Sequence, residues 1–121
     1  MKIDYNKLSK QVLDLDTKVK FVGVANNRGE MIASVHKENV EKLLVGDEFN
    51  MSIHYALQKR ELYTALAYKI GSEKSSITEY EQVTIISIPI NSYELFLIIT
   101  EPSTDYLKII NFIHSSLDSQ N

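Results

Sequence analysis

Two consecutive apolar runs, Val83–Ile90 and Tyr93–Thr100, parted only by Asn91 and Ser92, limit what this chain can fold into. In VTIISIPINSYELFLIITEP, Val83–Pro102, apolar residues fill nearly every position instead of alternate ones. A strand with one wet face alternates, whereas a strand without alternation is buried on both faces. The stretch therefore predicts a hairpin at the centre of a sheet, with helices packed on both sides.

The other segments supply those helices and the remaining strands. Asp4 is placed to cap a helix over Tyr5–Leu15, whose Tyr5, Leu8, Val12 and Leu15 form one helical stripe. Lys18–Ala25 reads as a strand rich in β-branched and aromatic residues, and Glu30–Val35 returns as a second. Between them Asn26-Asn27-Arg28-Gly29 makes a turn, with Gly29 suited to a left-handed position. The charged connector His36–Val45 has room for a short helical turn. Asp47 caps a long helix carried to Ile70. Ser75–Tyr80 is a weak edge strand, or one that pairs with another chain. After Glu101-Pro102, Ser103 or Thr104 caps a final helix through Leu117, made apolar by Leu107, Ile110, Phe112, Ile113 and Leu117. The order is α-β-β-α-β-β-β-α, an α+β domain with a five-stranded antiparallel sheet. With 121 residues and no linker-like tract, residues 1–121 read as a single domain.

The long helix has one apolar face too many. At about 100° per residue, Phe49, Ile53, Ala56, Tyr63, Ala67 and Ile70 fall on one side. Met51, Tyr55, Leu62 and Leu66 fall on nearly the opposite side. A helix lying on a sheet needs one stripe, so the second face needs another partner. Either a second copy of the chain covers it, or the connector folds back over it with Val40, Leu43 and Leu44. Tyr55, Tyr63 and Tyr68, three of seven tyrosines, lie on this helix, where amphipathic aromatics suit a core rim or an interface equally.

Chemistry is harder to find. Cysteine is absent, which removes disulfides, thiolate metal sites and Cys nucleophiles. His36, His54 and His114 fall in three different segments with no ligand spacing, so they are expected at the surface or an interface. Gly71-Ser72-Glu73-Lys74-Ser75 lacks the glycine spacing of a phosphate loop and follows a helix instead of a strand, which makes it a solvated connector. Glu38, Glu41, Asp47 and Glu48 lie beside lysines with no apolar pocket, as a wet face and a helix cap would. No enzyme, no metal and no cofactor is expected. The formal net charge of −3, from 13 basic and 16 acidic residues spread along the chain, gives no basic footprint for nucleic acid. No apolar run is long enough to span a membrane, and the N-terminus lacks a signal peptide's apolar core, so the expected location is cytoplasmic.

The wording of the first hairpin, KVKFVGVANNRGEMIAS over Lys18–Ser34, resembles the roadblock/dynein-light-chain family, a relative of the longin and profilin-like folds. The phrases LDTKVKFVGV and VTIISIPI are also similar to an uncharacterised group of small archaeal proteins with the same layout. The resemblance implies a sheet with the long helix on one face and the terminal helices on the other. It also implies pairing through the long helix and the strand after it, and service as a platform or regulator for small GTPases. The leading expectation is thus a non-enzymatic homodimeric scaffold whose interface includes Met51, Tyr55, Leu62, Leu66 and Ile77. The alternative is a small-molecule sensor, with Gly23, Ala25 and Ser87 leaving room between helix and sheet.

Overall fold

The structure, a computed structural model, describes residues 3–37 and 47–119, and within the long helix the side chains of residues 53–59 and 66–70. Its elements are α1 (Tyr5–Leu15), β1 (Val19–Asn26), β2 (Met31–His36), α2 (Asp47–Ile70), β3 (Ser76–Glu79), β4 (Thr84–Pro89), β5 (Glu94–Thr100) and α3 (Tyr106–Ser119). The strands form one antiparallel sheet in the order β2-β1-β5-β4-β3. The expected central hairpin is β4–β5, and β5 is the middle strand. The expected helical turn within His36–Val45, and its covering role for Val40, Leu43 and Leu44, lie outside the described residues.

Side-chain parity along β5 explains the two layers. Phe96 and Ile98 point to one face, where Val22, Val24, Ile86 and Ile88 join them under Leu8, Val12 and Leu13 of α1 and Ile109, Ile110 and Ile113 of α3. Leu95 and Leu97 point to the other, where Ala25 joins them under Ile53, with Met31, Ala56, Leu57 and Ile85 packed around. Sheet faces of this kind are stable only when covered, so the fold needs helices on both sides.

Local chemistry sets the ends of the elements. Asp4 caps α1 as expected, its Oδ1 accepting from the Lys7 N–H at 3.1 Å. In the β1–β2 turn, Asn26 Oδ1 accepts from the N–H groups of Arg28 and Glu30, and Gly29 is left-handed at φ 81°. The cap of α3 is neither Ser103 nor Thr104 but Asp105, whose Oδ1 accepts from the Lys108 N–H at 3.2 Å. Thr104 is already engaged, its hydroxyl donating to the Glu101 carbonyl, and Ser103 is left-handed at φ 62°. On α3, Leu107 is exposed, while Ile109, Ile110 and Ile113 face the sheet.

Tyr5 ties α1 to the central strand. Its hydroxyl donates to Glu94 Oε1 at 2.6 Å, and its ring meets Phe96 edge-to-face at 6.1 Å. Burial, then the hydrogen bond to Glu94 and its charge, push the phenol pKa from 10.0 up to about 12. The unfolded chain therefore ionises Tyr5 first, so this group's stabilisation is complete below pH 10 and is lost as pH rises towards 12. The expected loss is on the order of 1 kcal/mol, reduced from the ~2.7 kcal/mol of a fully buried shift because the ring is partly wet. Denaturant unfolding at pH 9 and pH 12 should show a drop larger by about that amount in wild type than in Tyr5→Phe; equal drops would disprove this link.

Candidate interaction surface

Among the described side chains of α2, those of residues 53–57 seat it on its face of the sheet. Ile53 is buried, and Ala56 and Leu57 are half-buried against Ala25, Leu95 and Leu97. Near its start, the His54 ring lies over the β1–β2 turn so closely that a Cβ on Gly29 would fall 2.6 Å from His54 Cε1. The helix has 24 residues and is about 36 Å long. Five strands span only about 19 Å across the sheet, and the longest strand runs only about 26 Å. The helix therefore overruns the sheet. Ile70, expected on the sheet-facing side, is 78% exposed for that reason.

Of the five expected interface residues, Tyr55 is 63% and Leu66 46% exposed. Eleven positions apart, they lie within about 20° of each other around the helix and form one outer line. The side chains of Met51 and Leu62 lie outside the described residues. Ile77, 41% exposed, belongs to the edge strand β3 but faces the other way. It stands opposite Ile86, which packs under the terminal helices, whereas Ser76 bonds Ser87 on the α2 side. Tyr55 and Ile77 thus flank the same edge from its two faces.

The edge itself is open among the described residues. The Tyr80 N–H donates to the Val83 carbonyl at 2.8 Å, which marks alternate β3 residues as bonded to β4. The N–H and C=O groups of Ile77 and Glu79 consequently point away from the sheet. Tyr80, 55% exposed, stands with Ser76 and Thr78 on the α2 side; its position after the weak strand was visible in the sequence, its face was not.

Between α2 and β3–β4 lies a cleft of about 40 Å³. Tyr55 and Lys59 overhang it from the helix, and Tyr80 closes one side. Ala56 also lines it from the helix, and the strands contribute Ile85 with the hydroxyl residues Ser76, Thr78 and Ser87. Ser87 is where the sequence placed room for a ligand, but Gly23 and Ala25 leave none. A Cβ on Gly23 would lie 2.6 Å from Met31 Sδ and 2.7 Å from Phe21 Cζ, and Ala25 is fully buried beside Ile53.

The histidines lie apart. His36 Nδ1 is 3.0 Å from the Lys37 carbonyl and His114 Nε2 is 2.9 Å from the Lys74 carbonyl; His36 and His54 are exposed and His114 is half-buried. Among the described residues, no three His, Asp or Glu side chains converge as metal ligands would, and no helix is long and apolar enough to cross a membrane.

No protein-family model matches the sequence, and no curated protein matches it. Solved structures do. A roadblock/LC7 domain from Streptomyces avermitilis superposes with a TM-score of 0.71 over 97% of this chain and 94% of its own length. The fold is the roadblock/LC7 fold. Myxococcus xanthus MglB gives the same TM-score of 0.71 over 98% of this chain and 88% of its own. An MglB structure with a tetrameric arrangement gives 0.66 over 98% and 89%. Sequence identities of 9%, 14% and 10% make this a likeness of roadblock fold alone. The resemblance read from Lys18–Ser34 is met at that level, and so is the sheet with the long helix on one face and the terminal helices on the other.

The seating of α2 at Gly29 is open to direct measurement. Gly29→Ala should destabilise the fold by about 2–3 kcal/mol in denaturant unfolding, combining left-handed strain with displacement of the His54 ring. Unchanged stability would mean that α2 does not depend on this contact.

Proposed function

We propose that the chain is a single roadblock-like domain, cytoplasmic and non-enzymatic, that homodimerises through α2 and β3 and presents the joint surface to a partner protein, a small GTPase. The observation behind the reading is a strand edge unpaired among the described residues, with exposed apolar side chains on both faces, Tyr55, Leu66 and Tyr80 on one and Ile77 on the other. Such a surface is a template for another strand and another apolar face. The interface is assigned to Met51, Tyr55, Leu62, Leu66 and Ile77.

Symmetry narrows the geometry. A two-fold axis that continues an antiparallel sheet must run normal to it, which sets one residue opposite its own copy. Because Ile77 and Glu79 offer the outward-facing backbone groups, the register that bonds both within the strand centres on Thr78 and sets Ile77 opposite Glu79 of the second copy. The tetrameric arrangement of MglB supports self-association as something this fold accommodates. The GTPase partner rests on the family resemblance.

Light scattering tests the dimer. Wild type should give twice the chain mass, and Tyr55→Asp or Leu66→Asp should weaken association by on the order of a hundredfold or more, since each change counts twice across a two-fold interface. A monomeric wild type, or variants with undiminished mass, would sink the reading. For the partner, purified small GTPases of the source organism, loaded with a GTP analogue, should include at least one that binds the wild-type dimer in a titration. Failure of all of them removes the GTPase and leaves the dimer standing.

A further inference from the structure

The cleft beneath Tyr55 and Lys59 has the chemistry of a binding site. Lys59 is half-buried and is the only charged residue among its described lining. The ion pairs among the described residues use Lys10, Lys20 and Lys108, and none engages Lys59. A half-buried ammonium with no counter-charge among the described residues is costly, and an anion brought alongside removes that cost.

The hydroxyls add donors. Ser76 Oγ and Ser87 Oγ are 2.6 Å apart, so one donates to the other and the second hydroxyl hydrogen remains available. Thr78 supplies another donor in the same cleft. With the three hydrogens of Lys59, the cleft offers donors from several directions to a group that only accepts. Its volume of about 40 Å³ holds roughly three waters. That matches the three heavy atoms of a carboxylate and is tight for the five of a phosphate. The rings of Tyr55 and Tyr80 leave an apolar exit for the carbon chain that bears it.

We propose that this cleft binds a carboxylate, its oxygens held between Lys59 and the hydroxyls of Thr78 and the Ser76–Ser87 pair. The carboxylate comes either from a small free acid or from an acidic side chain of a bound protein. The site shares Tyr55 and Tyr80 with the proposed dimer surface, but its polar groups, Lys59 and the three hydroxyls, are not among the residues assigned to that interface.

The test is a titration of the full chain with sodium acetate, exchanged for sodium chloride at constant ionic strength, followed by the amide resonances of Ser76, Thr78 and Ser87. These should shift and saturate. Lys59→Met should weaken binding about tenfold or more, the loss typical of a charge-assisted hydrogen bond, and acetamide should give no saturating shift. Acetyl-Gly-Glu-Gly-amide binding more tightly than acetate assigns the carboxylate to a protein partner; equal or weaker binding assigns it to a small acid. Shifts that stay linear, persist in Lys59→Met, or appear with acetamide overturn the site. Should Lys59→Met not fold, Lys59→Gln and the acetamide control decide. Light scattering on the same samples keeps failure of the cleft distinct from failure of the dimer.

Discussion

The burial of β5 on both faces is the constraint on which the rest of the structure depends. Leu95 and Leu97 enter one layer and Phe96 and Ile98 the other, and all four are buried. Its backbone is satisfied by β1 and β4 on either side. Removing either helical layer would expose half of an almost wholly apolar strand. The terminal helices close one face cooperatively, with Tyr5 reaching from α1 to Glu94 at the start of β5 and Tyr106 from α3 to Thr84 on β4. α2 has the other face, where Ile53, Ala56 and Leu57 pack among the described residues.

What the faces do not require is what remains for association. A helix of about 36 Å on a sheet about 19 Å wide must project beyond it, so Ile70 gains nothing from the core. β3, with only four residues, satisfies β4 and among the described residues leaves its own outer groups open. The overrunning helix and the edge strand are neighbours at the cleft, which Tyr55 and Tyr80 both line.

The legible parts of this fold were those set by short-range rules. Continuous apolarity marked β4 and β5, the Asp4 cap and its stripe marked α1 at Tyr5–Leu15, and Asn26 to Gly29 marked the turn. The misplaced parts depend on distances that no local pattern encodes. Ile70 follows the period of the sheet-facing stripe, but the sheet ends before the helix does. Ser103 and Thr104 are good capping residues, but the Glu101 carbonyl takes the Thr104 hydroxyl and the helix starts later, at Tyr106 with Asp105 as its cap. Gly23 suggested space because it lacks a side chain, whereas Met31 and Phe21 fill that space from neighbouring positions. Of the candidate surface, Tyr55 and Leu66 were readable from the helical period. Tyr80 and Lys59 were not, because their meeting depends on how β3 folds back beneath α2.

The cross-strand pair Ser76 and Ser87 shows why stability alone does not account for this corner. Ser87 is nearly buried in a strand otherwise made of Thr84, Ile85, Ile86, Ile88 and Pro89, and its hydroxyl is satisfied by Ser76 at 2.6 Å. A hydrogen-bonded polar pair in such a position contributes about 1 kcal/mol, and two apolar groups of matching shape would do as well or better. β-branched aliphatic residues would also suit the pleated surface and fill the space below Tyr55. Two serines keep that space open and keep a donor in it. Placed beneath a half-buried lysine with no carboxylate partner among the described residues, they are the residues that a pocket for an acceptor would need, and a sheet would not.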